Sequence, residues 1–95
     1  RFKPNGFYIL DEPEAPLSPN KQLTLLALLH DMVQEGAQFL ISTHSPILMA
    51  YPEATILEIQ QDQLTPTAFE DVEHVRLTAD FLKEPNRYLR HLFEK

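Results

Sequence analysis

An unbroken apolar run, Phe7-Tyr8-Ile9-Leu10, ends in two adjacent carboxylates, Asp11 and Glu12, and is closed by Pro13. Runs without polar alternation predict a parallel strand buried on both faces, and the proline stops its pairing. From Ser18 the period changes. Leu25, Leu28, Leu29 and Met32 recur at i, i+3, i+4 and i+7, and Leu23, Leu26 and Val33 widen the stripe. That pattern predicts a helix packed on a sheet and running to about Glu35. Ser18 is its expected N-cap, Pro19 takes the first helical position, where a missing N–H costs nothing, and Gly36 supplies a left-handed stop.

Ala37-Gln38-Phe39-Leu40-Ile41-Ser42 is a second short apolar run. A long helix between two strands predicts a right-handed crossover with both strands pointing the same way. Thr43-His44-Ser45-Pro46 then emerges at the sheet edge where Asp11 and Glu12 leave it, and ligands of α/β sheets bind beyond those carboxyl ends. Ser45-Pro46 repeats the cap-plus-proline start and predicts a brief helix over 47–50, broken by Tyr51-Pro52. Strands follow over 55–59 and 64–69, joined through 60–63, and Pro66 makes the second an edge strand. From about Asp71 the pattern is helical again, with Val72, Val75, Ala79 and Leu82 on one face and Phe81 beside it. Pro85 starts a last helix expected to bury Tyr88, Leu89, Leu92 and Phe93. No repeat, low-complexity stretch or flexible linker interrupts the series.

Composition changes this picture chiefly through what it excludes. The 95 residues, 43% hydrophobic, suit one domain or a large part of one. Glycine occurs only as Gly6 and Gly36, so neither a phosphate-cradling GxxxxGK[ST] loop nor a Gly-Gly signature loop exists in the chain. The chain opens on Arg1, directly into a structured segment, which points to a C-terminal piece of a longer protein. Absence of cysteine removes disulfides and thiolate metal sites. No apolar stretch approaches the roughly 18 residues of a membrane span, and a cytoplasmic location fits. The net charge of -6, with no Lys or Arg between Lys21 and Arg76, argues against a nucleic-acid surface. Arg76, Lys83, Arg87, Arg90 and Lys95 gather near the end and read as solvated helix faces. His30, His74 and His91 have no ligand-spaced partner and read as structural or solvent-facing.

Three ordered motifs remain: Ile9-Leu10-Asp11-Glu12-Pro13, Ala15-Pro16-Leu17-Ser18-Pro19 and Ile41-Ser42-Thr43-His44-Ser45. Together they resemble the second half of an ABC-type ATPase, and more narrowly the small bacterial AAA-family ATPases that share an SMC- and RecF-like head. The resemblance covers nearly all of the chain. It implies a Walker B strand, a D-loop and an H-loop in that order. The implied fold is α/β: the C-terminal part of a P-loop NTPase parallel sheet with flanking helices, ending in a strand pair and two helices. Residues 1–95 would be one partial nucleotide-binding domain that begins just after the signature loop.

The resemblance also implies roles. Asp11 would hold Mg²⁺, directly or through water, since that ion takes hard oxygen ligands and is usually bound by one or two carboxylates plus phosphates. Glu12 would polarise the attacking water, and His44 would be the switch histidine that contacts the γ-phosphate of ATP. Asp11, Ser18 and His44 would then face the nucleotide. The D-loop departs from the commoner pattern, in which Asp follows Ala-Leu. Here Ser18 follows Pro16-Leu17 and doubles as the helix cap. Alone, His44 would read as an ordinary strand-end histidine; across a crossover from two carboxylates it reads as the switch.

The leading expectation is therefore a parent protein that binds Mg-ATP between two head domains, as a homodimer, and hydrolyses it, with this chain inactive alone. The alternative is a non-catalytic α/β interaction module in which the carboxylates are relics. A helicase-type motor would need basic strand-tracking surfaces that this chain lacks. The isolated chain is expected to self-associate, because the resemblance places the 37–42 strand between the Walker B strand and a Walker A strand that is missing here.

Overall fold

The first strand, β1 (Phe7–Asp11), pairs in parallel with β2 (Gln38–Ser42), in register from Phe7 opposite Gln38 to Asp11 opposite Ser42. Residues 5–94 are described by this computed structural model, in two compact units divided between Ala54 and Thr55. Between the paired strands runs α1 (Pro19–Gln34), and β2 is followed by the short α2 (Pro46–Met49). The second unit holds an antiparallel pair, β3 (Leu57–Gln60) and β4 (Gln63–Pro66), a 3₁₀ turn (Phe69–Asp71), and two helices, α3 (Glu73–Lys83) and α4 (Pro85–Leu92). The class is α/β, as the sequence predicts.

Both ends of α1 form from local chemistry. Ser18 is extended (φ -65°, ψ 163°) and its Oγ accepts the Lys21 N–H at 3.3 Å. At the other end the Gly36 N–H reaches Val33 O and the Ala37 N–H reaches Met32 O, with Gly36 at φ +95°. This crossed pair of bonds is a Schellman motif, and the left-handed residue it needs is the glycine.

The sheet departs from expectation in one respect. Tyr8, Leu10, Phe39 and Ile41 are half-buried, with the rings of Tyr8 and Phe39 stacked at 5.5 Å, whereas Ile9 is 70% exposed and Leu40 56%. One face of the pair is covered and the other is open among the described residues, so a run that reads as buried on both faces is buried on one. On α1 the buried side follows Gln22, Leu25, Leu26, Leu29 and Met32, while Leu23, Leu28 and Val33 are exposed. A helix with a single packed side hides about one residue in three or four, fewer than its apolar positions. Leu29, Ala37 and Leu48 form the centre of this unit.

The second unit is stapled by polar contacts as well as by Val72 and Val75, its two buried hydrophobics. Gln61 and Asp62, both at positive φ, make the two-residue hairpin turn between β3 and β4. The ladder ends at Pro66, three residues short of the expected strand end, and Phe69 begins the 3₁₀ turn instead. Glu58 Oε2 accepts the Glu73 N–H at 3.0 Å and so places a carboxylate at the start of α3. Asp80 Oδ2 accepts from Arg87 and from Tyr88 Oη, each at 2.6 Å, and the Phe81 and Tyr88 rings meet edge to face. Of the residues expected to pack, Phe81, Tyr88 and Leu89 are half-buried, with Thr78 beside them, whereas Ala79, Leu82, Leu92 and Phe93 are exposed. Of the basic group, Lys95 lies outside the described residues. No helix among them is long and apolar enough to cross a membrane.

Candidate functional site

Parallel pairing brings the carboxyl ends of β1 and β2 together. The ladder continues one step past β1, where the Glu12 N–H donates to Ser42 O at 2.7 Å. Glu12 itself turns into the left-handed region at φ +49°. A side chain with a Cβ is disfavoured there by roughly 1–2 kcal/mol, and strain of this kind tends to sit where function needs an unusual backbone. The turn that follows is held by the Ala15 N–H on Glu12 O and the Leu17 N–H on Glu14 O, and it delivers the chain to the Ser18 cap.

His44 leaves β2 at the matching point. Its Nδ1 lies 3.0 Å from Glu12 Oε2, and both side chains face solvent, the imidazole 73% and the carboxylate 43% exposed. An ionised carboxylate only accepts, so Nδ1 carries the hydrogen in this contact. An exposed pair adds little to stability; its interest is geometric. The His44 backbone is held as well, because its N–H donates to Glu14 Oε2 at 3.4 Å.

Beneath the pair a second network fixes the loop. Ser45 is buried, caps α2 by accepting the Leu48 N–H at 3.2 Å, and donates its hydroxyl to Gln22 Oε1. Gln22 Nε2 in turn donates to Leu17 O at 3.2 Å, and the Ser45 N–H reaches Thr43 Oγ1 at 3.0 Å. One side chain of α1 therefore ties the loop after β1 to the loop after β2.

The four residues singled out from the sequence are distributed unequally. Glu12 and His44 meet. Asp11 stands exposed at the end of β1, in register with Ser42, and Ser18 is exposed with its Oγ engaged as a cap. Among the described residues no group of three or more His, Asp or Glu side chains could hold a metal ion by itself. Asp11 fits a metal as one ligand of an ion completed by phosphate oxygens and water, the mode usual for magnesium. Sequence reasoning missed Glu14 and Gln22. A polar residue at a core-facing position of α1 was the available signal for Gln22; nothing local marks Glu14.

Acidic and histidine side chains thus meet beyond the carboxyl ends of parallel strands, where α/β sheets bind their ligands. The family model described as "AAA domain, putative AbiEii toxin, Type IV TA system" matches residues 1–50, and the chain belongs to that family. The matched span takes in β1, α1, β2 and both loops of the site. Comparison with curated proteins and with solved structures finds no match.

Proposed function

We propose that this chain supplies the Walker B, D-loop and H-loop half of an ABC-type ATPase head, in a protein that hydrolyses ATP between two such heads. The observation that carries the reading is the 3.0 Å contact between Glu12 and His44, made by the ends of two parallel strands. Membership of an AAA-domain family supports it at the level of the class.

Phosphoryl transfer to water needs a group that orients the water, charge neutralisation at the phosphates, and positioning. Glu12 polarises the attacking water, a role supported by its place beyond the strand end, where α/β sheets bind their ligands. His44 contacts the γ-phosphate through Nε2, which donates when the ring carries both hydrogens. Asp11 would hold a magnesium ion together with the nucleotide, and the ion would supply neutralisation of phosphate charge. Ser18, whose Oγ caps α1, is a further nucleotide-facing residue. The phosphate cradle and its lysine come from a segment outside this chain, so the chain alone is inactive.

Glu12→Gln in the full-length protein tests the reading. The amide keeps size and hydrogen bonding but cannot polarise water as a carboxylate does. Turnover is expected to fall by roughly 10²–10⁴-fold while ATP still binds; wild-type turnover in the variant would refute the role.

A further inference from the structure

Two carboxylates reach from the turn after β1 to the loop after β2, and the proposed chemistry uses only Glu12. Glu14 is 8% exposed. Its Oε2 accepts the His44 N–H, and its Oε1 is buried with no hydrogen-bond partner among the described residues. A buried carboxylate with one oxygen unsatisfied is costly, and an apolar side chain of similar length would remove the cost. Stability therefore gives no reason for a glutamate at this position.

Geometry does. Glu12 and Glu14 flank Pro13, whose ring restricts the backbone between them. Two backbone hydrogen bonds, Ala15 to Glu12 and Leu17 to Glu14, tie the turn. His44 is thereby held at two of its own atoms, the ring nitrogen by Glu12 and the backbone N–H by Glu14. Ser45 is held by its own network, but a ring anchored only through Nδ1 could still turn with the His44 peptide unit. A second anchor on the N–H removes that freedom, and catalysis that depends on orientation needs it removed. The 3.4 Å separation is long for a hydrogen bond.

We propose that Glu14 is a positioning residue for His44: its carboxylate fixes the backbone of the histidine so that the imidazole meets Glu12. This rests on Glu12 and His44 being the reacting pair.

Two variants of the full-length protein decide it. Glu14→Met keeps the length and removes the acceptor, whereas Glu14→Gln keeps an acceptor. In Glu14→Met the melting temperature is expected to equal or exceed that of the wild type, while amide hydrogen exchange at His44 accelerates roughly tenfold. Exchange at Leu48, whose N–H is held by Ser45, stays unchanged. With ATP, kcat falls roughly tenfold at constant KM, and Glu14→Gln recovers both the His44 protection and most of kcat. A merely structural role would lower the melting temperature and speed exchange at His44 and Leu48 alike. That result, or unchanged exchange at His44 in Glu14→Met, overturns the proposal. Exchange is read without nucleotide, so it decides whether Glu14 anchors His44 independently of turnover, whereas a wild-type protein without ATPase activity would remove the reading of the pair itself.

Discussion

Glu12 Oε2 lies 3.0 Å from His44 Nδ1 although 32 residues separate them. A helical crossover and a parallel ladder in register are what convert that separation into contact. The pair is a property of the fold, and each half of it has a measurable consequence.

His44→Ala in the full-length protein is expected to lower kcat more than it weakens ATP binding. A phosphate contact that strengthens in the transition state acts on rate, and loss of one such donor costs roughly 10²–10³-fold. Steady-state kinetics beside equilibrium nucleotide binding separate the two effects. Loss of affinity at constant kcat would place the histidine in ground-state binding instead.

Gly36→Ala should destabilise the protein by about 1–2 kcal/mol, the cost of a Cβ in the left-handed region. The new methyl also runs into the Asn5 side chain, which must move aside. Denaturant midpoints compared at equal m-value give the answer. A variant as stable as the wild type would mean that the Schellman turn can reform without the glycine.

Acid should weaken the contact that joins α3 and α4. The Tyr88 hydroxyl, and after it the Arg87 guanidinium, hydrogen-bond to the Asp80 carboxylate and hold it below the usual carboxylate range. A depressed folded value stabilises the protein above the unfolded carboxylate value of about 3.9, and the contribution disappears as pH falls through the folded value. Asp80→Asn should therefore differ in stability from the wild type at neutral pH and converge with it in acid. The group is exposed, so the difference is small. Parallel stability curves for the two proteins down to pH 2–3 would exclude the linkage.

The isolated chain should self-associate and show no ATPase activity. Among the described residues β2 pairs only with β1, and Phe7, Ile9 and Leu40 crowd the open face. Exposed apolar faces of this kind pair with further copies. Light scattering over a dilution series tests it: a monodisperse folded monomer at micromolar concentration would refute the expectation, as would multiple-turnover hydrolysis by the purified chain.

What was legible in the sequence divides along the range of the interaction concerned. The Ser18 cap, the Gly36 stop and the Ser45-Pro46 start are decided within four residues, and the structure has all of them. The parallel pairing was legible because a helix of this length leaves few ways for two strands to meet. Burial was harder to read. Leu28, Leu82 and Leu92 carry the apolar signature of a core and stand exposed, because burial depends on what covers a face and not on the residue alone. Glu14 was invisible for the same reason: a buried acid two positions from an exposed one differs from it only in what lies above.

The parallel ladder has a kinetic consequence too. Helix α1, capped at both ends, and the two-residue hairpin of β3 and β4 can form from contacts close in sequence. The ladder between β1 and β2 offers no such start, because the loop that joins them must close before its first hydrogen bond repays the lost entropy. Glu12 and His44 lie just beyond the carboxyl end of that ladder. Their contact therefore depends on the same non-local closure as every rung of the ladder.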